Sequence, residues 1–178
     1  SLLLTEHDRT GRVDVARFVS RRIRRLSPAL FVVILAVVAL SALDVLAVKP
    51  SDVAAATWSF TNWHVIAGGE SQLLRTIVGP LGPTWSLAVE EQLYAVLVVG
   101  VLVALRSLRR DVVLLAGAAA VAIASVLVAN VASNWNPRLE FGTDVRAAEV
   151  AIGVALAVLV RTTGLARISE REGSFVAA

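Results

Sequence analysis

The chain of 178 residues contains no cysteine and no methionine. Without thiols it has no disulfide framework and no thiolate metal site, and no metal is expected. Charge is scarce too: Asp, Glu, Lys and Arg make up 17% of the residues, where a soluble domain carries about 25%. The N-terminus has no charged segment followed by an apolar run and a small-residue cleavage site, so no signal peptide is expected. It also lacks an initiator methionine, and the chain reads as an internal piece of a longer protein.

What is present in excess is apolar. Hydrophobic residues reach 57%, against about 45–50% in soluble proteins even with glycine counted. They gather in four runs, Pro28–Val48, Trp85–Leu105, Val112–Ala129 and Val145–Val160, the last being the shortest. About 20 helical residues at 1.5 Å rise cross a ~30 Å hydrocarbon core. Buried helices of a soluble protein are the alternative, but four such runs are hard to bury in so short a chain. The expectation is an all-α fold: a polytopic transmembrane helical bundle of about four spans in a single domain over 1–178. Membrane lipids are then its first partners. Between the first two runs, Trp58, Phe60, Trp63, Val65 and Ile66 make Asp52–Ala67 amphiphilic. Aromatic residues favour the interface, so this segment is expected to be an interfacial or re-entrant helix. Gly79–Pro83 should break the chain before the second span.

A sequence pI near 10.5 invites a nucleic-acid reading, but no basic stripe is interleaved with exposed aromatics. Nucleic acid is not an expected partner. The basic residues cluster at the ends of the apolar runs. With the N-terminal segment in the cytoplasm, Arg9, Arg12, Arg17, Arg21, Arg22, Arg24, Arg25, Arg106, Arg109, Arg110, Arg161, Arg167 and Arg171 fall inside. Lys49, Arg75, Arg138 and Arg146 fall outside. The positive-inside bias favours this orientation, with both ends of the chain cytoplasmic in a multi-pass protein of the cell membrane.

The informative residues are the polar ones in apolar surroundings. Glu90, Glu91 and Gln92 lie within two turns of the start of the second run. A charge at the bilayer centre costs about 2.5–3.5 kcal/mol on insertion scales. Adjacent carboxylates point about 100° apart on a helix, so one faces a polar cavity and the other pairs with a neighbouring helix or reaches headgroups. Ser86, Glu90 and Tyr94 share one face, with Trp85 on the adjoining stripe. At the start of the fourth run, Asp144 is placed to cap the helix. Arg146 needs a carboxylate or an anionic ligand there; Glu90, Glu91 and Glu149 are candidates. Arg21-Arg22-Ile23-Arg24-Arg25 reads either as a lipid-headgroup anchor or as a site for a polyphosphate ligand.

These segments resemble acyltransferase family 3, the integral membrane O-acyltransferases that modify O-antigen, peptidoglycan and similar glycans. Phe18-Val19-Ser20-Arg21-Arg22-Ile23-Arg24-Arg25-Leu26-Ser27-Pro28 is similar to the family's entry to its third helix. Thr84-Trp85-Ser86-Leu87-Ala88-Val89-Glu90-Glu91-Gln92-Leu93-Tyr94 resembles its Trp-Ser-Leu-x-Val-Glu-Glu-Gln-Phe-Tyr motif, with Leu93 where Phe is usual. Phe141-Gly142-Thr143-Asp144-Val145-Arg146-Ala147, followed by Gly153, resembles its Gly-Thr-Asp helix, with Glu149 one position later than the family's second acid. Asn62-Trp63 resembles an element of its outer loop.

The resemblance implies transfer of an acyl group, usually acetyl, from acyl-CoA to a hydroxyl of a glycan, lipid-linked sugar or glycosylated metabolite. It implies that Ser1-Leu2-Leu3-Leu4 ends the second helix and that a catalytic His lies in the first, outside this chain. His7 and His64 do not match it, so the chain alone is expected to be inactive. Glu90, Glu91, Ser86, Trp85, Asp144 and Arg146 are the candidate catalytic residues, and Arg21, Arg22 and Arg25 the candidate CoA-binding ones. The arginines are expected inside, the acidic cluster near the outer face. A nucleophilic role for Ser86 is disfavoured, because no His-Asp pair stands beside it in the sequence. The rival function is a transporter or other non-enzymatic membrane module whose Glu and Arg line a pathway. No internal repeat supports it.

Overall fold

The computed structural model describes residues 6–7, 10–11, 13–68, 79–131 and 137–163. Arg9, Arg12, Arg75, Arg167, Arg171 and the Ser1–Leu4 segment lie outside the described residues. The fold is all-α, without a strand among those residues. In chain order the elements are α1 (Val15–Ala42), α2 (Pro50–Thr57), α3 (Thr61–Gly68), a 3₁₀ turn (Gly82–Thr84), α4 (Trp85–Ala104), α5 (Arg110–Val131), α6 (Pro137–Phe141) and α7 (Thr143–Thr163).

Helix α1 begins well before the apolar run and ends before it finishes. Asp14 caps it, its side chain accepting the Arg17 amide at 2.8 Å. Its 28 residues make a rod of about 42 Å, so the arginines from Arg17 to Arg25 are part of the helix and not of a loop before it. Pro28 lies inside it and removes one intrahelical hydrogen bond. Among the described residues, three helices are long and apolar enough to cross a membrane: α1, α4 with its 3₁₀ turn, and α5. The fourth expected span, α7, has 21 residues but is not among them. Asp144, Arg146, Glu149 and Arg161 interrupt its apolarity.

The segment expected as one helix over Asp52–Ala67 is two. Ser59, at φ 56°, turns the chain between α2 and α3. Phe60 N donates to the Ala55 carbonyl at 2.8 Å, which closes the end of α2. The expected break at Gly79–Pro83 is a turn leading into the 3₁₀ element.

Helices α1 and α4 run antiparallel. Phe18 meets Tyr94 edge to face at 6.2 Å, and Arg22 meets Glu90. Two apolar clusters lie along this pair. One joins Val98, Val101 and Ala104 to Leu114 and Val158, with Val15 and Phe18 against it. The other joins Leu30, Ile34 and Val37 to Ala56 and Leu81, with Leu87 against it. On α1 the residues between these clusters include Arg22; on α4 they include Glu90, Glu91 and Gln92. The polar residues therefore form a layer between two apolar ones. Helices α5 and α7 make the most extensive helix–helix contact. Their far ends are tied by Arg161, whose Nη2 donates to Asp111 at 2.6 and 2.7 Å.

Candidate functional site

The polar layer is built on α4. Its first turns bring Trp85, Glu90, Glu91 and Gln92 to three different neighbours, because consecutive helical residues diverge by about 100°. Glu90 turns to α1 and pairs with Arg22. Glu91 accepts the Ser59 hydroxyl. Gln92 turns to α3 and α7.

Gln92 uses its whole hydrogen-bonding capacity. Its Nε2 donates to the Ser59 carbonyl at 2.7 Å and to Asn62 Oδ1 at 3.0 Å. Its Oε1 accepts from Trp63 Nε1 at 2.9 Å and from the Thr143 hydroxyl at 2.6 Å. Asn62 is fully buried and donates to the Phe141 carbonyl at 3.1 Å and to Thr143 Oγ1 at 2.9 Å. Four segments are locked by two amides, and a buried polar group is tolerated only when paired in this way.

Arg22 is the one arginine of its run that turns inward. Its guanidinium stacks on the Tyr94 ring, 3.4 Å from the centroid, a cation–π contact. Its Nη2 meets Glu90, while its Nε is buried without a hydrogen-bond partner among the described residues. Arg21 and Arg25 are exposed on one helix face, spaced i and i+4, and form no hydrogen bond or ion pair with described residues. Arg24 is exposed as well and bonds back to Ser20 Oγ at 2.9 Å. The expected separation of an inner arginine cluster from an outer acidic one does not hold for Arg22. It and Glu90 share one depth, because α1 is helical through the arginines and lies antiparallel to α4.

At the start of α7, Asp144 sits inside the first turn and does not cap the helix from outside. It pairs with Arg138, whose Nε donates at 2.8 Å, and its carbonyl accepts the Ser125 hydroxyl at 2.6 Å. Of the three carboxylates considered for Arg146, Glu149 is the partner, at 2.9 Å. Arg146 Nε donates to the Glu140 carbonyl at 3.2 Å, and its guanidinium lies 5.9 Å from the Trp85 ring centre. Trp85 in turn packs edge-on against buried Phe141 at 4.8 Å. Ser86 is exposed and bonds the Pro83 carbonyl at 3.3 Å.

The structure brings Glu90, Glu91 and Arg22 into one polar layer and sets Trp85 and Arg146 beside it, and the hub of that layer is not among the candidate residues named from the sequence. Gln92, Asn62, Trp63 and Thr143 were quoted in motifs and not as site residues. Uncharged amides and hydroxyls carry a weaker burial penalty than carboxylates, so they stand out less in an apolar run. Among the described residues no group of three His, Asp or Glu side chains could hold a metal ion.

Fold and site together define a polytopic helical protein with a polar layer enclosed between apolar ones. Comparison with known proteins finds relatives that carry a functional name. Over 166 residues the chain is 31% identical to a Staphylococcus aureus (strain COL) protein named "Putative O-acetyltransferase", an alignment covering 89% of this chain and 27% of that protein. Over 164 residues it is 29% identical to O-acetyltransferase OatA of Staphylococcus aureus (strain NCTC 8325 / PS 47), again covering 89% and 27%. The chain is a homologue of bacterial proteins named O-acetyltransferase and spans 27% of the length of these curated relatives. No family model matches it, and no solved structure matches it.

Proposed function

We propose that the chain is part of a membrane-bound O-acyltransferase of the acyltransferase family 3 type. It moves an acyl group, in the first instance acetyl, from acyl-CoA to a hydroxyl of a cell-envelope glycan or related glycoconjugate. The observation that carries the reading is similarity to proteins named O-acetyltransferase over 89% of the chain. The positive-inside pattern of its arginines supports a place in the cell membrane with both ends cytoplasmic.

The arginine run divides into two roles. Arg21 and Arg25, exposed on one face, suit the phosphates of CoA, which a guanidinium binds in a forked geometry. Arg22 is held inward by Glu90 and Tyr94 and keeps an unpaired buried Nε. Such a donor suits the acyl carbonyl oxygen, where negative charge develops as a hydroxyl attacks. Glu90 orients that guanidinium. The Gln92 network holds α3, α4 and α7 in register, so that Trp85 and Arg146 border the acceptor side.

The test uses the full-length protein in membranes with acetyl-CoA as donor. Arg22→Ala should lower the rate of acetyl transfer by about 10²–10³, the effect of removing one oxyanion donor, with acetyl-CoA affinity retained. Glu90→Gln should lower it less, because Arg22 stays on Tyr94. Unchanged turnover in Arg22→Ala removes the assigned role.

A further inference from the structure

An apolar recess of about 290 Å³ lies beside the polar layer, between α4, α5 and α7. It exists because α5 and α7 pack closely on each other, while α4 packs on them less extensively. Two glycines widen it. Gly100 on α4 and Gly117 on α5 both line it, and a Cβ added to either would meet nothing within 4 Å. The rest of the lining is Leu, Val and Ala throughout, and Val96, Val103 and Val113 in it are exposed.

The recess follows α4 from Leu93, the neighbour of the hub residue Gln92, to Val103, about 15 Å at the helical rise. A helix about 10–12 Å across would need on the order of 1,000 Å³ over that length. An apolar cavity of about 150 Å³ already takes up benzene. The space therefore suits a single hydrocarbon chain and not a further helix.

One end of the recess is strongly basic. Val103 and Val113 flank the link from α4 to α5, which carries Arg106 and Arg109, and Arg110 opens α5. Arg161 reaches the same end from α7 through its bonds to Asp111. Asp111 is the one acid between Val103 and Val113, and Arg110 lies 3.8 Å from it as well. Arg106 and Arg109 are exposed. At the other end Ala147 lines the recess next to Arg146, whose charge Glu149 matches.

An apolar recess with unbalanced cations at one end fits an amphiphile with an anionic head. Basic pockets between membrane helices on the cytoplasmic side bind anionic lipid headgroups, and the positive-inside pattern assigns this link to that side. A uniform lipid-facing surface would be the plainer reading. It accounts neither for the opening at two glycines nor for the cations gathered at one end.

Resting on the membrane placement above, and not on the acyltransferase chemistry, we infer that the recess binds an anionic phospholipid of the cytoplasmic leaflet. Its phosphate sits by Arg106 and Arg109. One acyl chain runs between α4 and the α5–α7 pair toward the level of Gln92. The lipid fills the space that α4 leaves and braces that helix below the polar layer.

The experiment uses the full-length protein in detergent, with phosphatidylglycerol or zwitterionic phosphatidylcholine added, read by native mass spectrometry and thermal unfolding. Wild type should retain phosphatidylglycerol in preference to phosphatidylcholine and unfold at a higher temperature with it. Arg106→Gln with Arg109→Gln should weaken phosphatidylglycerol binding by about tenfold or more. Gly117→Leu fills the recess and raises helix propensity. If the recess is a lipid site, this variant loses the bound phosphatidylglycerol and the rise in unfolding temperature. Equal retention of the two lipids by wild type, or a wild-type lipid response in Gly117→Leu, overturns the proposal. Glycerol phosphate, a headgroup without a chain, should leave unfolding unchanged; a rise equal to that with phosphatidylglycerol means a free-phosphate site and overturns it too. Should Gly117→Leu not fold, wild type decides: phosphatidylglycerol with a diazirine in its acyl chain should label α4, α5 and α7, and label confined to other parts of the protein counts against the site. A full-length protein that stays soluble without detergent shows the membrane placement to be wrong, and the lipid site with it.

Discussion

The two faces of one helix show how differently the same residue type is used. Arg22, on the inner face of α1, has a ring beneath it and a carboxylate beside it. Arg21 and Arg25, next to it in sequence and exposed, have neither. The inward arginine is part of a layer in which almost every polar group is paired. Burial makes that pairing obligatory, since an unpaired group costs its full desolvation. The outward arginines stay solvated at no such cost and are free to meet a ligand. A polar residue in the layer should therefore matter to folding, and one on the outer face only to binding.

The strongest way to break the contrast is at the hub. Gln92→Leu removes the partner of Asn62 Oδ1, Trp63 Nε1 and the Thr143 hydroxyl together. Each buried group left unpaired costs about 1–3 kcal/mol, so a loss of about 3 kcal/mol or more is expected. Thermal unfolding of the full-length protein in detergent measures it, and acetyl transfer should fall in parallel. A change within about 0.5 kcal/mol, normal for a surface site, would mean that the layer is not cooperative.

A smaller effect is expected at the edge of the layer. Gly142 joins α6 to α7, and a Cβ there would collide with the Arg138 carbonyl and the Asp144 carboxylate. The backbone carbonyl is fixed, because it accepts the Gly142 amide at 2.9 Å. Gly142→Ala should cost about 1–3 kcal/mol, as overpacking does. It should also weaken the Arg138–Asp144 pair, read as a lower unfolding temperature than that of Arg138→Ala alone.

The sequence made the helical, membrane-spanning character plain, because apolar run length is a strong signal. It made the polar motifs plain as well, since carboxylates in such runs are conspicuous. Two things were not legible. Helix α1 starts before its apolar run, because arginine is a good helix former and Asp14 supplies a cap that hydropathy does not see. That shift brings Arg22 to Glu90, which no count of charges per loop could reveal. The break at Ser59 was also hidden: a serine in the left-handed region is uncommon, and only the packing of α2 against α1 and of α3 against α4 calls for it. For Arg146 the nearest in sequence of the three candidate acids, Glu149, is the partner, because i and i+3 contacts are set by the helix itself.

The smallest effect on stability is expected on the outer face of α1, and it sharpens the comparison most. Arg21→Ala with Arg25→Ala removes two exposed charges that pair with nothing among the described residues. Their loss should change unfolding by no more than about 0.5 kcal/mol. If they grip CoA phosphates, acetyl-CoA affinity should nevertheless fall, by about tenfold or more, since a hydrogen bond to a charged group contributes about 1.5–3 kcal/mol. The loss should lessen as salt rises, because exposed charges are screened. A dephospho analogue of the donor separates the contacts: a donor lacking the 3′-phosphate should lose less on mutation if that phosphate is the one held. Arg22→Ala makes the opposite prediction, with rate lost and affinity kept. A double mutant that binds acetyl-CoA as wild type does would return the outer arginines to a lipid-headgroup role, leaving Arg22 as the one member of the run that touches the reaction.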